Sequence, residues 1–128
     1  MAEPEPKIDD KNFDVAIFCA LYEEAEAVKN VFESLGAKWE TKHDRPVRLD
    51  YSRCSILNKD GDSLAIYLTW LPNFGPVNMA QYGERVLTSH KTVSLLLMTG
   101  ICAGDKTKVH LGDLVVAKGA HAFDAGKA

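Results

Sequence analysis

A run of six residues without charge, residues 93–98, constrains the fold of this chain more than any other feature. The run is mostly apolar and does not alternate, which is typical of a strand covered on both faces in a parallel sheet between helices. Small residues follow it, with glycines at positions 100 and 104. Ligands bind at the carboxyl ends of strands in open α/β sheets, so residues 99–104 are a candidate binding loop. Glycine turns also occur for purely local reasons, and this stretch alone favours that simpler interpretation.

Length and composition are those of one ordinary globular domain, with 128 residues, 46% of them hydrophobic and 26% charged. A net charge of −3 gives no reason to expect nucleic acid as a partner. No apolar run is long enough for a membrane span, and the polar residues 1–11 are no secretory signal. We interpret them as a disordered tail or linker before a domain over residues 12–128. Three cysteines without metal-type spacing indicate reduced thiols, no metal site and a cytoplasmic location.

Strand and helix patterns alternate along the chain and predict an α/β fold. Residues 13–20 have the composition of a strand, and the helical period that begins at residue 21 ends at Gly36. A turn with β-hairpin chemistry separates two further strand patterns. The predicted architecture is a central mixed sheet flanked by helices. The other predicted segments are a loop over residues 38–46, strands over 49–57 and 63–70, a helix over 77–90 and a strand over 111–117.

Three strand-to-loop junctions carry motifs that are more specific together than any one of them alone. They lie at residues 14–28, at 73–80, and at 98–104 followed by 109–117, which includes Gly-Asp-Leu-Val-Val. Their order and spacing resemble the nucleoside phosphorylase and nucleosidase superfamily. The sequences of these motifs most resemble the branch of the superfamily found in fungal multidomain receptors and bacterial defence proteins. The resemblance implies a phosphorylase-like sheet, truncated relative to the full family domain.

The resemblance also implies chemistry at the N-glycosidic bond of a purine nucleoside or nucleotide. Glu24 matches the water-activating glutamate of the nucleosidases, at a point where phosphorylases bind phosphate through an arginine. Met98 lies near a second such arginine position. A carboxylate repels phosphate but can take a proton from water, so hydrolysis is favoured and no cofactor is expected, phosphate being needed only by a phosphorylase. The implied substrate contacts are Phe74, Gly75, Thr99, Gly100, Ile101, Cys102, Ala103 and Gly104.

Two interpretations of the chain stay open. Family domains continue past the Gly-Asp-Val-Val strand with segments that hold the ribose and protonate the purine, so residues 1–128 alone are expected to be an inactive part of an N-glycosidase. The alternative is a non-catalytic binding or oligomerisation module, in which the remaining half of the domain or a second copy covers the sheet edge. A phosphorylase is a further alternative. For Glu24 itself, the simpler interpretation is a carboxylate that complements the helix dipole.

Overall fold

A computed structural model of the protein describes residues 12–72, 76–101 and 105–118, which form a five-stranded mixed sheet with two helices. The predicted α/β class and mixed sheet are therefore confirmed. The predicted tail, residues 1–11, lies outside the described residues. Among the described residues, neither helix has the length and apolar character to cross a membrane. The elements in chain order are β1 (Val15–Cys19), α1 (Tyr22–Ser34), β2 (Glu40–Asp44), β3 (Leu49–Leu57), β4 (Ser63–Trp70), α2 (Pro76–Ser89) and β5 (Leu95–Thr99).

Strand β1 is the centre of the parallel part of the sheet. The strand order is β2-β3-β4-β1-β5, and β1 runs parallel to both β4 and β5, whereas β2, β3 and β4 are antiparallel neighbours. Cys19 lies in register with Trp70 on one side and Thr99 on the other. The carboxyl ends of the three parallel strands therefore meet at one edge, where α/β sheets bind ligands.

Each face of the sheet has its own buried core. Because successive strand residues point to opposite faces, Ala16 and Phe18 pack in the cluster that includes Val86 of α2. Ile17 and its neighbours on the other face pack in a cluster with Ala25 of α1. One helix thus covers each face. Burying a large apolar side chain contributes about 1.5–3 kcal/mol, so these clusters fix the helices on the sheet.

The end of α1 depends on Gly36, as the sequence predicts. Gly36 has a φ of +94°, which side-chain-bearing residues rarely adopt. Its N–H donates to the carbonyl of Glu33, and the N–H of Ala37 donates to the carbonyl of Phe32. These bonds satisfy carbonyl groups of the last turn that have no partner inside the helix.

Two sequence predictions at the margins of the sheet are wrong. Residues 38–46, predicted as a loop, contain β2, which pairs with β3 and brings Thr41 Oγ1 to 3.0 Å from Ser52 Oγ. An edge strand gains its backbone hydrogen bonds from its neighbour and needs no apolar pattern of its own. Residues 111–117, predicted as a strand, form no strand. Leu114 and Val116 there are 89% and 80% exposed, because no neighbouring strand within the described residues pairs with them.

Strand β5 differs from its prediction in burial, although its position agrees. The uncharged run of residues 93–98 predicts a strand covered on both faces. In the described part of the chain β5 is the last strand on its side of the sheet. Leu95 is 49% exposed and Met98 62% exposed. Strand β5 therefore has the composition of an interior strand but lies at an edge of the sheet.

Candidate functional site

Glu24 lies where the start of α1 approaches the end of β5. Its Oε1 accepts a hydrogen bond from the N–H of Leu21 at 2.9 Å, and its Oε2 accepts one from the N–H of Ile101 at 2.7 Å. Leu21 is the N-cap residue of α1, so the first bond satisfies an N–H group at the helix start. The second bond joins residues 77 positions apart in the chain. Glu24 therefore links the start of α1 to the segment that follows β5.

Gly100 is the residue that allows this approach. A Cβ atom at position 100 would lie 2.5 Å from Glu24 Oε2 and 3.3 Å from Glu24 Cδ. Any residue with a Cβ at this position would therefore require the Glu24 carboxylate to shift from the place that it occupies. Gly100 therefore has a packing role against Glu24, and its predicted contact with a substrate stays a prediction.

An open cleft of about 310 Å³ lies beside Glu24, between α1 and the end of β5. This volume is at the lower limit of pockets that hold small ligands. An ionised carboxylate has about four acceptor positions, and the two backbone hydrogen bonds use two of them. The carboxylate can therefore accept further hydrogen bonds, including one from a water molecule. The cleft is lined by Leu21, Glu23, Glu24, Ala27, Val28, Thr99, Gly100 and Ile101.

Cys19 and Thr99 form a pair beside the cleft, with Cys19 Sγ 3.3 Å from Thr99 Oγ1. Burial raises the pKa of the Cys19 thiol, the hydrogen bond with Thr99 lowers it, and the charge of Glu24 raises it, with a net increase. A thiol with a raised pKa is a poor nucleophile. Cys19 therefore serves as a packing and hydrogen-bonding group at the edge of the sheet.

The structure brings together four of the residues predicted for the site. Glu24, Thr99, Gly100 and Ile101 all line the cleft, and Glu24 contacts the last two directly. Within the described residues, no group of three histidine, cysteine or acidic side chains could hold a metal ion. The other predicted positions, Phe74, Gly75, Cys102, Ala103 and Gly104, lie outside the residues that the structure describes.

No protein-family model, curated protein or solved structure matches this chain.

A second polar cluster, which the sequence does not predict, is buried in the core. Asp44 Oδ2 accepts a hydrogen bond from Tyr67 Oη at 3.0 Å and lies 2.7 Å from His90 Nε2. The Asp44 and His90 side chains are 5% and 8% exposed. Burial raises the pKa of Tyr67, and the neighbouring Asp44 raises it further, so its hydroxyl stays protonated and donates. The cluster joins the end of β2 to β4 and to the residue that follows α2.

This buried cluster and the cleft share no residue. Asp44 and His90 are 46 positions apart, and the sequence places one in a predicted loop and the other at a helix end. No spacing motif connects them, so only the fold reveals the pair. Both oxygens of Asp44 have a partner, since the N–H of Val47 lies 3.5 Å from Oδ1. The Nδ1 atom of His90, in contrast, is buried and has no hydrogen-bond partner among the described residues.

Proposed function

We propose that this domain contributes the water-activating part of an N-glycosidase site for a purine nucleoside or nucleotide, with Glu24 as the general base. The observation that carries the proposal is the contact of Glu24 with the backbone of Gly100 and Ile101 at the carboxyl edge of the parallel strands. A base for water must be held in place beside the reacting carbon, and two backbone hydrogen bonds hold Glu24.

The proposed reaction is a displacement at the anomeric carbon of the sugar. Glu24 accepts a proton from water while the water oxygen forms a bond to that carbon. The bond between the carbon and the purine nitrogen breaks, and its electron pair leaves with the base, which takes up a proton. General base catalysis of this kind contributes roughly 10²–10⁴-fold to a rate. In the family that the motifs resemble, later segments supply the acid that protonates the purine.

The charges of the cleft support water rather than phosphate as the attacking group. Among the described residues that line it, Glu23 and Glu24 are the only charged ones. Two unit charges of like sign 4 Å apart repel by about 1 kcal/mol in water and about 4 kcal/mol near a protein surface. A phosphate ion beside these carboxylates would be disfavoured, whereas water would not. Hydrolysis therefore agrees better than phosphorolysis with this surface.

The test measures free adenine after incubation with adenosine, S-adenosylhomocysteine or ATP, each with and without inorganic phosphate. The protein is the chain of residues 1–128 and, where the reading frame continues past Ala128, the longer product. We expect the longer product to release adenine without phosphate, and Glu24→Gln to lower the rate at least a hundredfold. Glu26→Gln is the matched control, because Glu26 lies on the same helix but does not line the cleft.

Three results would contradict the proposal. The first is adenine release at an unchanged rate by Glu24→Gln, which would remove the assigned base. The second is the absence of release by the longest product with every substrate. The third is a requirement for phosphate, which would indicate a phosphorylase.

A non-catalytic binding module is the second candidate function. Both oxygens of Glu24 already accept backbone N–H bonds, and a helix-to-strand fastening accounts for the carboxylate without any reaction. This candidate predicts heat of binding for a purine nucleoside in calorimetry, with no release of the base on prolonged incubation. The same binding experiment with Glu24→Gln separates a ligand contact from a purely structural one.

A further inference from the structure

Strand β5 presents an uncharged strand edge to solvent. One side of β5 pairs with β1, and within residues 12–72, 76–101 and 105–118 no strand pairs with the other side. Its sequence is Leu-Leu-Leu-Met-Thr, and Leu97 is 39% exposed in addition to Leu95 and Met98. Natural sheet edges are usually protected by charged residues, prolines or bulges. An apolar edge without these features is suited to pairing with another strand.

A second segment of the chain has a composition suited to pairing with such an edge. Residues 114–117, Leu-Val-Val-Ala, have a strand-forming composition but belong to no strand in the described structure. Leu114 and Val116 are among the most exposed large apolar residues, and Val115 is 56% exposed. The segment has strand-forming side chains but pairs with no strand among the described residues.

We propose that residues 114–117 of one copy pair with β5 of a second copy, and that the exchange is mutual in a two-fold dimer. An extended segment that adds to an open edge gains main-chain hydrogen bonds and buries its side chains on the sheet. A two-fold axis makes the contact occur twice, since each copy supplies one edge and one segment. Residues 114–117 do not join the β5 of their own chain, so the second copy provides the edge that they lack.

The apolar surface available is sufficient for a dimer of modest stability. The six exposed side chains offer on the order of 600 Å² per copy, or on the order of 1,200 Å² in total, which reaches the lower limit of stable interfaces. The exchange does not depend on the reaction proposed for Glu24, because it uses the outer edge of β5. The six side chains are Leu95, Leu97, Met98, Leu114, Val115 and Val116.

The test combines light scattering after gel filtration with amide hydrogen exchange on the chain of residues 1–128. We expect a dimer in which the amides of residues 114–117 are protected, together with those amides of residues 95–99 that do not bond to β1. Leu97→Lys places a charge on the edge strand, and Val115→Pro removes an N–H from the added segment, so each variant should be monomeric and lose the protection of these amides, while the β5 amides bonded to β1 stay protected. Leu57→Lys is the control, because Leu57 is 72% exposed on β3, away from β5, and it should leave the dimer intact.

A monomer at every concentration would overturn the proposal, including a monomer whose residues 114–117 are protected by their own β5. A dimer without protection of residues 114–117 would overturn it as well. The same holds for a dimer that persists in both Leu97→Lys and Val115→Pro, because its contact would then lie elsewhere. Circular dichroism of each variant shows whether the remaining sheet is folded, so a failure to fold is recognised separately.

Discussion

A methyl group on Gly100 would lie 2.5 Å from Oε2 of Glu24, a separation that real Cβ atoms do not show. The Glu24 carboxylate can therefore keep this position beside the residue that follows β5 because position 100 has no side chain. The same contact supports both the stability of the domain and its proposed chemistry.

Replacement of Gly100 by alanine tests this contact. The new methyl group forces the carboxylate away from the N–H of Ile101, and we expect Gly100→Ala to lower the free energy of unfolding by about 1–3 kcal/mol. Gly83→Ala is the control, because a Cβ there meets Phe18 and Met79 at ordinary distances of 3.7 and 3.9 Å within α2. That change should raise the free energy of unfolding by about 0.5–1 kcal/mol. Urea unfolding measures the free energy of unfolding of both variants. If Gly100→Ala and Gly83→Ala changed it in the same direction, the contact between Gly100 and Glu24 would not be stabilising.

Two histidine–aspartate pairs of similar length differ in burial and in the further partners of the carboxylate, and their loss should lower the free energy of unfolding by different amounts. His90 and Asp44 are buried, whereas His43 lies 2.8 Å from Asp50 with both side chains more than half exposed. His90→Ala leaves a cavity and a less fully paired buried carboxylate, so we expect a loss of about 3 kcal/mol. His43→Ala should cost less than about 1 kcal/mol. Thermal unfolding at pH 7 compares the two, and equal losses would show that the buried pair is not specially stabilising.

The buried thiol of Cys54 predicts a loss of stability at alkaline pH. Burial raises the pKa of Cys54 from its ordinary value of 9.0 to about 11. The thiol of the unfolded chain releases its proton near pH 9, whereas the folded thiol keeps its proton until about pH 11. The contribution of the neutral thiol to the free energy of unfolding is therefore complete below pH 9 and is lost between pH 9 and pH 11. Cys54→Ala lacks the thiol. Its free energy of unfolding should therefore fall less than that of the wild type between pH 8 and pH 11, and parallel curves in urea unfolding would refute this.

The turn between β2 and β3 contains a backbone conformation that favours glycine. Arg48 has a φ of 64°, in the left-handed region that side chains disfavour. We expect Arg48→Gly to stabilise the protein by up to about 1 kcal/mol, once the greater flexibility of unfolded glycine is subtracted. Gly36→Ala is the reciprocal change at a φ of +94°, with no atom within 4 Å of the new Cβ. Gly36→Ala should lower the free energy of unfolding by about 1 kcal/mol. If neither substitution changed the free energy of unfolding, the positive φ angles at positions 36 and 48 would not be a source of strain.

The sequence predicts those elements whose signal is local. Strands β3 and β4 have the predicted bounds, because the turn residues between them and the strand patterns on either side are contiguous in the chain. The helix end at Gly36 is also local, since it depends on one residue that tolerates a positive φ. Glu24 and the loop at Gly100, which the resemblance predicts as site residues, are in contact in the fold, whereas their roles stay predictions.

The wrong and missing predictions concern pairing between distant segments. Residues 40–44 are polar yet form β2, because β3 supplies their backbone partners, whereas residues 114–117 are apolar yet remain unpaired in the described structure. A strand is defined by its neighbour as much as by its own composition. The sequence does not predict the pair of Asp44 and His90 for the same reason, since only the folded sheet brings the two residues together.

The hydrogen bond from Ile101 to Glu24 also sets the order in which a site can appear during synthesis. Glu24 leaves the ribosome 77 residues before its partner, and the first helix and the hairpin of β3 and β4 can form in that interval. The cleft does not exist until β5 has been made and has paired with β1. A nascent chain that stalls or is cleaved before Ile101 therefore contains Glu24 without the cleft that surrounds this residue in the folded domain.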